Sequence, residues 1–484
     1  MAQPLTMTPG PRSTGGTRTT FLELQRHCTA AIIAPRRALR LRMLLKLRLF
    51  WPATPVTADV PARRIRLAAY TTETITPKYH EALIGWQKKN FPELTFLQDN
   101  WKKYYPTQTP YQLFAKIGKL QSETIGYGRM AGQSRVERAG DMVGNMFYTA
   151  RDIIRAQAST ELGSIQQHRL TLEEAPTDVM KVAILRIMAE ELRHGYQMFW
   201  VFDADHSWKK PGHPDVATDT LDELLSMQLG NHVLDAFNIP FYNFLDNVIF
   251  ATIIDLVGKY QLEMQKVFSY APMARSMGPM LSEEGYHIGS GRGFLKELSV
   301  SATRGNGRYS IDAIQRAINV WLPRGVEMFG NERGGETAIA FGFKDRTNGT
   351  VQSEYYNEVR ELIELTNVAI AQTLLRDISA PDARSLVREV QDTHEEQRGI
   401  APHHLLMVPD VKFYRQRGME EIAFMPYDVD GILLTDNGKP FSGERYIEYL
   451  HGVLPSYYVK DSEFAKYRAA LLGRQPKVGS SYGW

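Results

Sequence analysis

The sequence predicts an all-α protein built on a four-helix bundle, with additional helices and a mixed, partly irregular C-terminal region. Long stretches of the chain carry apolar residues at helical spacing, and two of these stretches contain a Glu-x-x-His motif. An acidic residue precedes each motif by nearly the same distance, 30 residues (191 − 161) and 29 residues (284 − 255). The six residues so spaced are Glu161, Glu191, His194, Asp255, Glu284 and His287. Four carboxylates and two imidazoles in this arrangement form the ligand set of a dinuclear metal site inside a helical bundle. We therefore expect two Fe ions, with Mn as the alternative.

Residues 1–66 are predicted to be a basic and largely disordered N-terminal extension. They hold about twelve Arg and Lys against two acids, so they carry about +10 and the remainder of the chain about −7 (3 − 10). Residues 1–20 are rich in Gly, Pro, Ser and Thr, whereas residues 35–50 are basic and leucine-rich. Two interpretations stay open. The segment is a targeting peptide or membrane-surface helix, or it is a poorly ordered tail or a start codon assigned too early.

Residues 67–295 are predicted to form the metal-binding domain. Its helical stretches are short pieces within 74–119, two helices within 111–168 that meet near 139–144, one helix over 177–203 with Thr177 as N-cap, helices over 219–236 and 240–270, and one from Pro272 to a break at 289–291. Residues 296–484 are predicted to be a helical and irregular extension that packs on the bundle. Helices are expected there at 310–322 and 353–377, and a strand running into a turn at 432–438.

Cysteine usage and apolar run length restrict the compartment. The chain has one cysteine, Cys28, so an intrachain disulfide and a thiolate metal cluster are both excluded, and we expect a reducing, cytoplasmic location. Apolar runs such as 248–254 are much shorter than the roughly 20 residues of a membrane span, so no span is expected. Outside the N-terminal extension nothing predicts binding to nucleic acid.

The proposed ligands occupy positions that their helices otherwise give to core residues. Ile187, Glu191, His194 and Met198 share one helical stripe, and Asp255 follows Val248 and Ala251 on another. Burying one unpaired carboxylate costs several kcal/mol, and four carboxylates at one place would also repel one another. Two divalent cations remove that penalty, since four negative charges balance four positive ones. The metal site thus explains a pattern that would otherwise destabilise the fold.

Other acidic residues near the motifs compete with the proposed ligands. A third Glu-x-x-His, Glu448 to His451, follows a Gly- and Pro-rich segment with no acid opposite it, and is interpreted as a surface coincidence. Glu190 and Glu283 precede two of the ligands but lack a histidine at i+3, so they are expected to lie behind the ligands or to face solvent. Asp246 is a rival for Asp255, although it would spoil the repeated spacing.

With these residues in place, the chain resembles the ferritin-like diiron oxygenases. The likeness is carried by Thr160-Glu161, by Ala189-Glu190-Glu191-Leu192-Arg193-His194, by Asp255 to Leu262, and by Met280 to His287. Within that superfamily it resembles the oxygenase component of benzoyl-CoA 2,3-epoxidase and, more distantly, the catalytic subunit of phenylacetyl-CoA epoxidase. An Asp at the third ligand position is typical of these CoA-thioester epoxidases, whereas Tyr286 stands where a further His is expected.

The resemblance implies a ferritin-like bundle and a definite chemistry. A separate flavin/iron–sulfur NAD(P)H reductase would supply two electrons, and one atom of O2 would enter the ring of an aromatic acyl-CoA. Gln157, one turn before Glu161, would hydrogen-bond an oxygen species or the substrate carbonyl. A dry pocket would be lined by Ile154, Ala158, Ile187 and Met198. The alternatives are an arylamine N-oxygenase, a radical generator, for which Tyr196 points the wrong way, and a non-catalytic iron-binding protein. A homodimer is a possible assembly.

Overall fold

Helices dominate the architecture, as the apolar periodicity predicts. A computed structural model describes residues 70–408 except residues 205, 214 and 331, together with some of the residues between 434 and 449. The helices are α1 (Pro77–Asn90), α2 (Leu94–Asp99), α3 (Trp101–Tyr104), α4 (Asn145–Thr171), α5 (Asp178–Asp203), α6 (Val216–Ser226), α7 (Phe244–Ile249), α8 (Asp255–Gln265), α9 (Ala271–Thr303), α10 (Ile311–Met328), α11 (Glu332–Ala340), α12 (Asn348–Leu374) and α13 (Ala380–Thr393). The strands are β1 (Thr71–Glu73), β2 (Ala115–Ile117), β3 (Thr435–Asp436) and β4 (Lys439–Pro440). The predicted all-α class is confirmed.

The first half of the bundle is the hairpin of α4 and α5. A short 3₁₀ turn, Leu172–Glu174, joins the two helices, and they pack along their length. Thr177 caps α5 as predicted, since its side chain accepts a hydrogen bond from the backbone N–H of Met180 at 3.2 Å. Nearly all of α5 is buried, which is why its sequence is apolar on more than one face.

The second half pairs α9 with an interrupted helix made of α7, a π-helical turn (Phe250–Ile254) and α8. Asn243 and Asp246 form a capping box at the start of α7. The π turn ends directly before Asp255. Such turns are frequent at functional sites because they shift the register of the residues that follow.

Helix α9 does not break at residues 289–291, so that prediction is wrong. It continues to Thr303, and Gly291 instead allows a neighbouring backbone to lie close to α9. A Cβ at Gly291 would lie 2.7 Å from the backbone of Ala251 and 2.6 Å from Oγ1 of Thr252. The glycine therefore lets α9 pack against the π turn, a requirement that a single-helix pattern does not reveal.

The two helices predicted within 111–168 are also corrected, since only α4 forms there. Strand β2 pairs antiparallel with β1, with Thr71 opposite Ile117, and 3₁₀ turns follow at Gly128–Met130 and Ala139–Asp141. Gly128 has a φ of 77°, and a Cβ there would clash with the carbonyl oxygen of Ile339 in α11. Tertiary contact thus decides a conformation that the apolar pattern alone assigned to helix.

The remaining helices enclose the bundle. Helix α10 packs on α7 and the π turn, and α12 packs on α9 and α13. The predicted helices at 310–322 and 353–377 correspond to α10 and α12, whereas the one at 219–236 ends at Ser226. The described part of 432–438 includes β3, which pairs with β4.

The described residues all belong to one unit, Ile65–Trp484. The expected boundary at residue 295 falls within α9, and the division into 67–295 and 296–484 stays a prediction. Cys28, the basic stretch 35–50 and His451 lie outside the described residues. No described helix has the length and apolar character that crossing a membrane would require.

Candidate metal centre

All six residues predicted as ligands converge at the centre of the bundle. Glu161 comes from α4, Glu191 and His194 from α5, Asp255 from α8, and Glu284 and His287 from α9. Each is at most 6% exposed. Ligand atoms of Glu161, Glu191 and His194 lie within 4.8 Å of one another, and so do those of Glu191, Glu284 and His287. The two groups overlap at Glu191, so the cluster offers ligands for two cations.

Both histidines present Nδ1 to the carboxylates. His194 Nδ1 lies 3.5 Å from a carboxylate oxygen of Glu161 and 3.6 Å from one of Glu284. His287 Nδ1 lies 3.3 Å from Glu191 and 3.7 Å from Asp255. The structure thus brings together two side chains that are 93 residues apart in sequence (287 − 194).

Buried polar atoms without hydrogen-bond partners indicate whether these residues could bind metal ions. Within the described part of the chain, four buried atoms of the cluster lack a hydrogen-bond partner: Nδ1 of His194, Nδ1 of His287, Oδ2 of Asp255 and Oε2 of Glu284. An unpaired buried polar group is costly, and such groups are rare in folded proteins. Imidazole nitrogen and carboxylate oxygen suit iron, manganese or zinc. The cluster therefore fits a pair of divalent cations.

Burial and neighbouring charges shift the pKa values of several residues in the cluster. Burial, and then the charge and hydrogen bond of Glu161, raise the pKa of Glu191 well above its ordinary value. Burial also raises the pKa of Asp255 well above normal, with the charge of Glu284 acting in the same direction. Burial by itself would lower the pKa of His194, but the adjacent carboxylates of Glu161 and Glu283 raise it well above its ordinary value.

Comparison with known proteins identifies the family. The family of phenylacetic acid catabolic proteins matches residues 137–384, which contain all six cluster residues. That segment is half of the chain. The chain belongs to the phenylacetic acid catabolic protein family. It is also similar to benzoyl-CoA oxygenase component B of Aromatoleum evansii, at 24% identity over 282 residues. The alignment covers 54% of this chain and 57% of that protein, so the chain spans a little over half of the relative's length.

Two further acids brace the histidines of this family member across the bundle. Glu283 of α9 accepts from Nε2 of His194 on α5 at 3.1 Å, and Glu190 of α5 accepts from Nε2 of His287 on α9 at 3.1 Å. The expectation that these acids lie behind the ligands is confirmed. Each bond places a proton on Nε2, so Nδ1 is the nitrogen that faces the cluster and can bind a metal.

Basic side chains hold the two bracing acids in the charged form. Glu283 pairs with Lys116 of β2 and with Arg193, whose Nε lies 3.2 Å away. Burial by itself would raise the pKa of Glu283, but the bond to His194 and the charge of Arg193 hold it well below its ordinary value. Glu190 pairs with Nε of Arg186 at 3.0 Å, and its pKa is likewise lowered. The pair with Lys116 also connects strand β2 to the metal-binding core.

A small cavity of about 40 Å³ adjoins the cluster. Its polar lining residues are Gln157, Thr160, Glu161, Ser164, Glu191, Asp255, Gln261 and Glu284. Its apolar lining residues are Leu234, Phe237, Phe250, Ile254 and Met328. Gln157 lies there as predicted, and its Nε2 donates to Glu161.

The expected pocket lining is wrong. Ile154, Ala158, Ile187 and Met198 are fully buried but do not line this cavity, whose apolar lining comes from residues 234–254 and from Met328. The lining residues come from segments that are distant in sequence, so the apolar stripes of single helices could not predict the position of the cavity.

The structure also shows the contacts of Asp246, Tyr196 and Tyr286. Asp246 bonds to Trp321 at 2.9 Å and to Arg316 at 3.0 Å and is not part of the cluster. Tyr196 turns away from the ligands, and its hydroxyl accepts from the backbone N–H of Ile75 at 3.1 Å. The hydroxyl of Tyr286 bonds to that of Tyr105 at 3.0 Å, and the guanidinium of Arg186 lies 3.7 Å from the centre of the Tyr286 ring.

Proposed function

We propose that this protein is the oxygenase component of a dinuclear-iron monooxygenase that converts an aromatic acyl-CoA thioester into its ring epoxide. The single observation that supports this most is the buried cluster of four carboxylates and two histidines with both Nδ1 atoms facing inward. The name of the similar protein, benzoyl-CoA oxygenase component B, supplies the substrate class. The family name, phenylacetic acid catabolic protein, favours phenylacetyl-CoA as a second candidate.

The proposed reaction balances with an external reductase. Aryl-CoA, O2, two electrons and two protons give the epoxide and one water molecule. The electrons come from NAD(P)H through a separate flavin/iron–sulfur protein, because the described residues contain no thiolate cluster for an electron-transfer centre. Two bound iron ions would supply the redox chemistry that activates O2, with manganese as the alternative metal.

The chain's own residues hold, orient and shield the reacting groups. Glu161, Glu191 and His194 would hold one ion, and Glu191, Glu284 and His287 the other, with Asp255 beside His287 as a further ligand. Glu190 and Glu283 fix the ring orientation of the two histidines. Gln157 donates to Glu161, so we assign it the role of orienting that carboxylate. The apolar wall of the cavity excludes bulk water, which protects a strong oxidant from wasteful reduction.

The size of the cavity sets a condition on substrate entry. About 40 Å³ holds a few water molecules, whereas a benzene ring occupies cavities of about 150 Å³ in proteins. Side chains must therefore move when an aryl group enters. Met328 lines the apolar wall, and a methionine changes its shape at low cost. We expect α10 and Met328 to make this adjustment.

Product analysis tests the proposal. Iron-loaded protein is incubated with a reductase or dithionite, ¹⁸O₂ and either benzoyl-CoA or phenylacetyl-CoA, and mass spectrometry measures one added ¹⁸O in the acyl product. Glu191→Ala should abolish the product because it removes the residue shared by both metal groups. Glu364→Gln changes a carboxylate that pairs with Arg384 and Arg388 and should leave product formation unchanged.

Other outcomes separate the alternatives. Iron-dependent O2 consumption with an arylamine but with neither thioester would support an N-oxygenase. Iron binding with no oxygenated product from any of these substrates would refute the oxygenase proposal.

A further inference from the structure

One hydrogen-bond donor in the cavity is left without a partner. Thr160 donates its hydroxyl proton to the carbonyl oxygen of Gln157, and Ser164 donates to that of Glu161. The amide of Gln157 donates to the Glu161 carboxylate. Among the described residues that line the cavity, Gln261 is the exception, because its Nε2 is buried and lacks an acceptor.

Lys344 fixes the orientation of the Gln261 amide. Its Nζ lies 3.0 Å from Oε1 of Gln261 and 3.3 Å from Oδ1 of Asn348, and the lysine side chain is fully buried. An ammonium group donates hydrogen bonds and cannot accept them, so the oxygen of the Gln261 amide must face Lys344. The NH₂ group is then the end that remains for the cavity.

We propose that Gln261 is the substrate-positioning residue that donates a hydrogen bond to the thioester carbonyl oxygen of the acyl-CoA. This inference rests on the proposed function. Gln261 shares a cavity with four of the proposed metal ligands and lies six residues beyond Asp255 on α8. Every acyl-CoA thioester carries a carbonyl oxygen beside its acyl group, and this oxygen can accept the hydrogen bond.

Anchoring the carbonyl would also select the ring positions that are oxidised. The carbonyl carbon is attached to the ring in an aroyl thioester, so a fixed carbonyl restricts rotation of the ring in the cavity. The ring bond nearest to the carboxylate cluster is then the same in each turnover. The hydrogen bond to Gln261 thus orients the ring, and orientation raises the reaction rate only when the ring is correctly placed against the cluster.

Binding measurements with two ligands test the role of Gln261 without turnover. Benzoyl-CoA is compared with S-benzyl-CoA, a thioether in which CH₂ replaces the carbonyl, by anaerobic calorimetry on iron-loaded full-length protein without reductase. The wild type should bind the thioester about threefold to tenfold more tightly, the range that one neutral hydrogen bond gives. Gln261→Glu keeps an acceptor for Lys344 but presents oxygen to the cavity, so this preference should disappear.

Gln265 provides the matched control. It lies one turn further along α8, is fully buried, and its side-chain atoms have no partner among the described residues, yet it does not line the cavity. Gln265→Leu should therefore keep the wild-type preference. If Gln261→Glu loses iron or unfolds, Gln261→Leu serves as the second variant, and it too should bind both ligands equally.

The outcomes distinguish this inference from the proposed function. A wild-type protein that binds both ligands tightly and equally overturns the role of Gln261 and leaves the oxygenase proposal intact. So does a Gln261→Glu variant that keeps the preference. A wild-type protein that binds neither benzoyl-CoA nor phenylacetyl-CoA overturns both, because no acyl-CoA then occupies the cavity.

Discussion

Replacing Glu283 with glutamine isolates the effect of the bracing acids on metal binding. Glu283 is not a proposed ligand, but its Oε2 lies 3.1 Å from Nε2 of His194. The carboxylate keeps the proton on Nε2 and makes the imidazole a stronger base toward a metal at Nδ1. Glutamine has nearly the same shape but no charge. We expect Glu283→Gln to weaken the ion bound by Glu161, Glu191 and His194 more than the other ion.

The magnitude follows from the contacts that are lost. Removing such a supporting partner commonly lowers metal affinity by about 10- to 100-fold, which is about 1–3 kcal/mol. The variant also leaves Arg193 and Lys116 without their shared carboxylate, and two uncompensated cations near a cationic site act in the same direction. We therefore expect a loss of at least about tenfold in affinity for one of the two ions. Glu190→Gln should produce the same loss at the His287 end.

Anaerobic titration of Fe(II) against a chromophoric chelator measures this effect. Wild-type protein should retain about two irons per chain at a chelator concentration where Glu283→Gln retains about one. The control is Glu364→Gln, a partly buried carboxylate paired with Arg384 and Arg388, and it should match the wild type. If Glu283→Gln binds both ions within a factor of about three of the wild type, the bracing role is refuted. An equal loss of iron in Glu283→Gln and Glu364→Gln would show a non-specific effect on folding.

Three further predictions follow from the same contacts. Asp255→Asn should stabilise the metal-free protein by about 2 kcal/mol and raise its melting temperature by several degrees, because it removes a carboxylate whose pKa burial and Glu284 raise well above normal. The same variant should lose about one iron. An unchanged or lower melting temperature in scanning fluorimetry would contradict the predicted stabilisation. Burial lowers the pKa of His168 from 6.5 to about 4. The unfolded chain therefore binds the proton first, and stability falls as the pH drops from 6.5 toward 4, by about 2 kcal/mol at pH 5 relative to pH 7. Urea unfolding of His168→Gln should show a shallower loss over this range, and an equally steep loss would exclude His168 as its source. Met328→Trp should fill the cavity and weaken binding of the aryl-CoA at least about tenfold in calorimetry, whereas unchanged affinity would show that the ring binds elsewhere.

Helix periodicity predicted the bundle well and the connections between helices poorly. Thr177 and the helix after it could be located from sequence because capping and apolar spacing are local. The segment 111–144 could not, since its turns depend on contacts such as that between Gly128 and α11. Gly291 shows the same limit, because a glycine that ends a helix and one that admits a neighbouring backbone are identical in sequence.

The sequence by itself determined which groups lie at the centre. A Glu and a His at i and i+3 share a helix face whatever the fold, and apolar neighbours show that this face is buried. The sequence therefore predicts all six cluster residues. The tertiary structure alone decided which acids brace the histidines, where the cavity lies, and that Lys344 orients Gln261. Glu283 and His194 are 89 residues apart and Lys344 and Gln261 are 83 apart, and such pairings arise only when separate helices pack together.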